Sequence, residues 1–318
     1  MGRDNSKVSI IIPVYNGADY LKEAIDGALA QTWQNKEIII VNDGSDDNGA
    51  TSHIAHNYAD SIRYFEKRNG GVASALNLGI QEMKGEYFSW LSHDDLYFPK
   101  KVSHQMHLIQ KCGDPTQLVA GNYCLMDEHR SLLGVMDFYQ LYGKKNLIRP
   151  LFPVFHCAVN GCTILIHKSH FDRVGLFDES RPTTQDYDMW FRMLRGRSLL
   201  YSRPVDVVSR VHAGQTSVAM KDAHQKECND LWIGMLEQLT DREMIEMAGS
   251  KQNFYADLYD HFKRYTTYIN AMQWLLVRKD YTHYTTRKIS NSIIQKGKDV
   301  LRKKILHKRI ERSVGMGE

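Results

Sequence analysis

Four polar clusters in the first hundred residues carry the side chains best suited to chemistry. They are PVYNG (13–17), NDGSDD (42–47), EKRNGG (66–71) and SHDD (92–95). The last poses the clearest question. Two adjacent carboxylates, Asp94 and Asp95, close the apolar run YFSWL, with Ser92 and His93 just before them. Carboxylates bind hard divalent cations, and such an ion neutralises phosphates where no phosphate-cradling loop exists. The chain has neither GxGxxG nor GxxxxGK[ST]. A capping box, Ser92-x-x-Asp95, is the simpler reading of the same residues. Pro99 weakens it, because proline suits the first turn of a helix and disfavours helical geometry in the residue before it, which puts the helix start after the acids. NDGSDD could pass for a calcium loop, but Ile54 stands where a bidentate Glu is needed.

Further along, QDYD (185–188) offers two acids at the start of a helical pattern, and RVHAG places His212 after an extended stretch. A carboxylate there can serve as a general base. Spacing alone does not choose between Asp186 and Asp188, and a lone histidine is as readily a core or surface residue. His156, Cys157 and Cys162 read as buried small residues rather than zinc ligands, since no second ligand pair follows.

The elements that position these side chains follow from periodicity. VSIIIPV (8–14) and KEIIIVN are continuous β-branched runs, as in strands buried on both faces. ADYLKEAIDGALAQ (18–31) has apolar residues at helical spacing. A helix over about 47–58, a strand IRYFEK, a helix GVASALNLGIQEM and a strand EYFSWLS complete four strand–helix alternations. This is the pattern of a mostly parallel sheet with helices on both faces. Each polar cluster then falls at the carboxyl end of a strand, where such sheets form their ligand crevice. Beyond Pro99 the pattern predicts a helix to about Lys111, a strand LVAGNYCLMD, a turn-rich stretch to about 155, a strand and short helix in NGCTILIHKSHFDRVG, a helix in TTQDYDMWFRMLRG, and extended segments to about 213. Near 218–222 the texture changes to long helical patterns with little Gly or Pro. The division is therefore an α/β domain over 1–218 and a helical region over 219–318.

The 318 residues are 25% charged and 42% hydrophobic, ordinary for a globular protein, and no apolar run reaches the length of a membrane span. Five cysteines, an odd number without CxxC spacing, fit a reducing compartment. With no secretory signal at its start, the chain reads as cytoplasmic. The net charge of +4 is concentrated: Arg287–Arg312 holds ten Lys/Arg against two acids, which leaves the body acidic and excludes a general nucleic-acid binder. Ile289, Ile293, Ile294, Val300, Leu301 and Ile305 fall at helical spacing within that stretch. It suits a basic helix peripheral to the inner face of an anionic membrane, or a packing helix that joins copies in a homo-oligomer.

Residues 7–218 resemble family 2 glycosyltransferases, whose nucleotide-sugar-binding domain has the GT-A fold. The likeness runs in order through VSIIIPVYNGADYLKEAIDGALAQTWQNKEIIIVNDGSDD, NGGVASALNLGI, GEYFSWLSHDD, VGLFDES, QDYDMWFRM and SRVHAGQTS. The resemblance implies that Pro13, Tyr15 and Asn16 line the nucleoside pocket and that Asp43 bonds the base, usually uracil. Arg68, Asn69, Gly71 and Asn77 complete the nucleotide wall, with Ser92 and His93 beside it. SHD (92–94) falls at the family's DxD. Asp94 would hold Mn2+ or Mg2+ against the diphosphate, joined by His212. Asp95 and Gln185 would border the donor or acceptor, and Asp186 would be the catalytic base. Two departures stand out. Ser92 replaces the first Asp of DxD and brings no charge, and Gln185 replaces the more usual Glu.

The implied reaction is inverting transfer of a hexosyl group from a UDP-sugar to a hydroxyl of a glycan, a glycoprotein or a lipid-linked sugar. It needs a divalent ion for the leaving group and a base for the acceptor. The rival readings are a sugar-phosphate nucleotidyltransferase, for which PVYNG lacks the Gly-rich basic loop, and a catalytically silent sugar-nucleotide-binding module, which Ser92 favours.

Overall fold

The computed structural model describes residues 5–278. The basic tail predicted over 287–312 lies outside the described residues. The first half is the expected alternation: β1 (Val8–Val14), α1 (Leu21–Leu29), β2 (Lys36–Asn42), α2 (Ala50–His56), β3 (Arg63–Glu66), α3 (Gly71–Glu82) and β4 (Tyr87–Trp90). These strands pair in parallel in the order β3-β2-β1-β4, and β8 (Ile166–His167) adds an antiparallel edge next to β4. Strand order reverses between β1 and β4, so their carboxyl ends open the crevice where such sheets take ligands. Pairing of β1 with β4 stops at Ile11↔Trp90, and Pro13 lies beyond it, where its missing N–H costs no ladder bond on that side.

Both faces of this sheet are covered. Ile10 and Ile12 join a core with Leu21, Ile25, Val102 and Met106, whereas Ile11 joins a second core with Leu76, Phe88 and Trp190. This is the two-residue period of a strand buried on both sides, and each fully buried aliphatic contributes roughly 1.5–3 kcal/mol. α3 sits close on β1 because Gly79 faces Ile11: a Cβ there would lie 2.5 Å from Ile11 Cγ2.

A second sheet was not foreseen. β5 (Leu96–Tyr97), β9 (Leu199–Val211), β6 (Leu118–Asp127) and β7 (Leu132–Met136) lie in that order. β9 pairs in parallel with β6 and antiparallel with the two-residue β5. The stretch read as separate extended segments is thus one 13-residue strand. Pro204 is accommodated at a register shift, where Ser202 pairs with Gly121 and Val205 with Asn122.

α4 (Lys101–Cys112) begins two residues after Pro99. Three short helices, α5 (Phe138–Tyr142), α6 (Lys144–Leu147) and α7 (Phe152–Phe155), occupy the turn-rich stretch, and α8 (Ser169–Val174) follows β8. α9 (Gln185–Leu194) carries the QDYD acids. After the short α10 (Thr216–Ala219), four helices complete the described chain: α11 (Lys221–Gln238), α12 (Asp241–Ala248), α13 (Lys251–Phe262) and α14 (Ile269–Arg278). They pack on the α/β part without a break, since Trp232, Phe262 and Leu275 share one core with Phe155 and Trp190. Among the described residues, no helix is long and apolar enough to cross a membrane.

Candidate active site

The two sheets meet at the acid turn. β4 ends at Trp90, residues 92–95 turn, and β5 starts at Leu96 against Val208 of β9. Carried back, that antiparallel register sets Asp94 opposite Arg210 and brings the end of β9 to the crevice. His212 Nε2 accordingly lies 2.9 Å from Asp94 Oδ2. The residues that the resemblance paired around a metal are in direct contact, although 118 positions separate them.

Arg210 fastens this corner. It is 1% exposed, its Nε donates to Asp94 O at 2.9 Å, and its guanidinium pairs with Glu23 at 3.0 Å and lies over the Tyr20 ring. Glu23 also holds Arg130, at 2.7 Å. The Arg210 backbone N–H donates to Asp95 Oδ1 at 2.9 Å, so Asp95 ties the turn to β9 from within. Burial, and then the adjacent Asp94 charge, push the Asp95 carboxyl well above the usual range. Ser92 is turned onto Cys162, whose thiol donates to Ser92 Oγ at 3.4 Å and accepts from Ser92 N at 3.3 Å. His93 bonds the Pro13 backbone, and burial lowers its pKa. Lys101 underlies the turn, donating to Ser89 Oγ, Tyr97 OH and Ile164 O. Burial brings it down to about 7.

The first two loops are clasped together. Asn16 Nδ2 donates to Asp46 Oδ1 at 2.6 Å and Asn16 Oδ1 accepts from Asp46 N at 2.9 Å, while Tyr15 OH reaches the same carboxylate. Asn16 takes a φ of +49°, which its short amide tolerates better than most side chains. Tyr15 and Asn16 are exposed at the crevice mouth, and Pro13 is buried behind them. Asp43 is buried and accepts from Lys67 Nζ at 2.8 Å, from Gly71 N at 2.7 Å and from Gly70 N. It fixes the turn that starts α3 and leaves Arg68 and Asn69 exposed. Arg68, Asn69 and Asn77 line a cavity of about 500 Å³. Asn77 also holds the loop after α8: its amide donates to Phe177 O and Glu179 Oε1 and accepts from Phe177 N.

α9 presents the second acid site. Asp188 is taken by Arg192, at 2.7 Å, with Arg181 4.0 Å away. Among the described residues Asp186 has no cation partner, and its Oδ1 accepts from Tyr187 N at 2.9 Å. Burial, with a smaller push from the Glu227 charge, raises its pKa to about 6. Beside it, Gln185 is 5% exposed and its Oε1 has no hydrogen-bond partner among the described residues. The segment between residues 157 and 163 spans from one acid site to the other: Tyr187 OH donates to Val159 O, and Cys162 touches Ser92. Gly161 lets it pass under Trp90, because a Cβ there would lie 2.5 Å from the indole.

Three residues that touch or bias these sites are missing from the sequence analysis: Lys67, Arg210 and Glu227. Arg210 carried a signal, since it continues the inward parity of Asp206 and Val208 along β9, all of them buried. Among the described residues no cluster of three or more His, Cys, Asp or Glu side chains could hold a metal alone. Asp94 and His212 would suit a divalent ion as a two-point hold, one carboxylate oxygen and one imidazole nitrogen. An imidazole in that set suits Mn2+ better than Mg2+.

The sequence model Glycosyl transferase family 2 matches residues 9–172, more than half of the chain. The protein belongs to glycosyl transferase family 2. An uncharacterized glycosyltransferase of Rickettsia typhi is 48% identical over 274 residues, covering 86% of this chain and 85% of its own. The chain spans only 41% of the length of a Rickettsia felis relative at the same identity. A UDP-Glc:alpha-D-GlcNAc-diphosphoundecaprenol beta-1,3-glucosyltransferase of Escherichia coli, WfaP, is 30% identical over 66% of this chain and 79% of its own. Among solved structures, the mannosyltransferase PcManGT of Pyrobaculum calidifontis, in complex with GDP-Man and Mn2+, superposes with a TM-score of 0.57 at 15% identity, covering 97% of this chain and 85% of its own. That likeness is one of fold, and the fold is GT-A. Asp186 and His212 lie beyond the stretch that the family model matches.

Proposed function

We propose that this family 2 glycosyltransferase moves a hexosyl group from a UDP-sugar to a hydroxyl of a glycan acceptor, with inversion and with a divalent ion bound. The observation that carries the reading is the contrast between the acids. Asp94 is paired with His212 at the switch point of the sheet, and Asp186 is desolvated with no cation beside it among the described residues. In the reaction Asp186 takes the proton of the acceptor hydroxyl, the hydroxyl oxygen bonds to the anomeric carbon, and the bond from that carbon to the diphosphate oxygen breaks. A base opposite the leaving group inverts the centre. Asp94 and His212 would hold the ion, which would supply positive charge for the departing diphosphate. Asp43 and the loop it fixes face the nucleoside, and Arg68 adds a cation at the wall. Asp95 and Gln185 border the donor and acceptor.

WfaP supports a UDP donor and a lipid-linked acceptor, and PcManGT supports Mn2+ with a guanine nucleotide as the competing donor class. Asp188 was the rival base, and its ion pairs with Arg192 and Arg181 favour Asp186. The region over 219–318 we assign to contact with the acceptor, with a second copy or with a membrane surface. Its described part exposes Met220, Ile245, Ile269 and Leu276. The test is nucleoside diphosphate release from a panel of UDP- and GDP-sugars with and without Mn2+. UDP release that needs Mn2+ supports the reading. Pyrophosphate release would point to a nucleotidyltransferase, and binding without turnover to a silent module.

A further inference from the structure

We propose that Glu227, on α11 of the C-terminal region, is the positioning residue for Asp186. The inference rests on Asp186 being the base and adds the group that holds it. α9 starts at Gln185, and its N-cap residue Thr184 makes no side-chain cap bond of its own. The residues that lead into the helix are held from another helix. Glu227 Oε1 accepts from Thr184 Oγ1 at 2.6 Å and from Thr184 N at 3.0 Å, and Oε2 accepts from Thr183 Oγ1 at 2.8 Å. Thr183 N points between the two oxygens, 3.3 Å from each. One carboxylate therefore satisfies both the backbone and the side-chain donors of two consecutive residues immediately ahead of Gln185 and Asp186. A negative group at a helix N-terminus is also favoured by the helix dipole.

Glu227 is itself firmly mounted. One turn on, Trp232 is 2% exposed and packs on Tyr187 of α9 with ring centres 5.6 Å apart. Asn229 donates to Thr267 O and accepts from Ala271 N, which tethers α11 to the start of α14. The helical region is thus built into the base's support and does more than pack beside it. Glu227 acts on Asp186 a second way, because its charge favours the protonated acid. The other groups that face this corner are neutral near pH 7: burial raises the Cys157 and Cys228 thiols and the Tyr187 phenol, and lowers His224.

The experiment uses the full chain and two variants, with UDP release from the most active sugar of a UDP-sugar panel and backbone hydrogen exchange as separate readouts. Glu227→Ala strands four donors. It is expected to lower kcat by about 10–100-fold through misplacement of the base, with UDP affinity held within about twofold. Exchange at the amides of residues 183–188 rises, and that of β1 to β4 does not. Glu227→Gln keeps an acceptor and loses the charge. It is expected to recover most of the turnover and to move the acid limb of the pH–rate profile to lower pH. Unchanged exchange at 183–188, or turnover within about twofold of wild type in Glu227→Ala, overturns the proposal. So does a loss of turnover that only tracks lost UDP affinity and a lower melting temperature, which is a general folding role. Wild-type turnover in Asp186→Asn would instead remove the base assignment, and the exchange result would still test whether Glu227 holds this corner.

Discussion

The two acid sites are built on opposite principles. At the sheet edge the carboxylates that face the crevice have side-chain partners: Asp43 has Lys67 and two backbone N–H groups, Asp46 has Asn16, and Asp94 has His212, while Asp95, buried behind them on the Arg210 backbone, has a raised pKa and serves the turn rather than the leaving group. On α9, Asp186 is buried with a backbone N–H and, among the described residues, no cation beside it, and its neighbour Asp188 takes the local arginine. A site that holds a leaving group must be anionic and fixed before the donor arrives, so that a cation completes it. A base must be able to accept a proton near neutrality, which desolvation provides and a salt bridge would prevent.

The largest expected effect breaks the base side. Asp186→Asn should lower turnover by about 10²–10⁴-fold and leave UDP binding intact, as read by steady-state kinetics and calorimetry. The same substitution should stabilise the fold. The folded pKa of Asp186 is raised to about 6 from 3.8, so the folded state binds the proton more tightly between those values. Stability therefore falls as pH rises through that window, and the cost persists above it. Removing the acid should return about 1–3 kcal/mol at pH 7 and nothing below about pH 4, measured by urea unfolding at both pH values. Equal stability at pH 7 would show that the carboxylate is not desolvated. In the wild type, turnover should drop as pH falls through about 6.

Next comes the sheet edge. Asp94→Ala should weaken Mn2+-dependent UDP binding by about 100-fold, since even outer partners of metal ligands cost 10–100-fold. Binding of UDP without metal should change little. An equal loss in both conditions would mean that Asp94 touches the nucleotide and not an ion.

Arg210→Met tests whether the edge is held from behind. A stranded buried charge costs about 3–5 kcal/mol, but Glu23 keeps Arg130 and is 26% exposed on its side chain, so about 2–3 kcal/mol is expected from urea unfolding. The Asp94 carbonyl also loses its donor, so metal-dependent UDP affinity should fall a few-fold. Loss of stability with unaltered affinity would make Arg210 a core residue only.

The same contrast explains what could be read from the chain. β1 to β4 and their loops were legible because local periodicity determines them and the loops sit where the strands end. The second sheet was not, because β5 has two residues and its partner Val208 lies more than a hundred positions away. Asp186 and Asp188 look alike in residue type and spacing; the family resemblance alone favoured Asp186, and the folded positions of Arg192 and Arg181 give the physical difference between them. Lys67, Arg210 and Glu227 belong to types usually found on surfaces, and their roles come from burial and partners that no local pattern records.

The smallest effect addresses Ser92, where the chain departs from DxD. If the hydroxyl served the metal site, its loss would resemble that of Asp94. The geometry favours a different role, since Ser92 Oγ accepts a hydrogen bond from the Cys162 thiol and Cys162 also bonds Asp95. Ser92→Ala then removes a weak acceptor from a thiol that keeps another, and turnover and Mn2+ dependence should stay within about twofold. Ser92→Asp is the sharper variant. It restores the family's first acid but sets a third carboxylate beside Asp94 and a buried Asp95 whose pKa is already raised by burial and by Asp94. Without metal the like charges should destabilise the fold, and Mn2+ should recover part of that loss. If Ser92→Ala instead loses metal-dependent UDP binding as fully as Asp94→Ala does, the ion is held by three groups and the two-point hold is wrong.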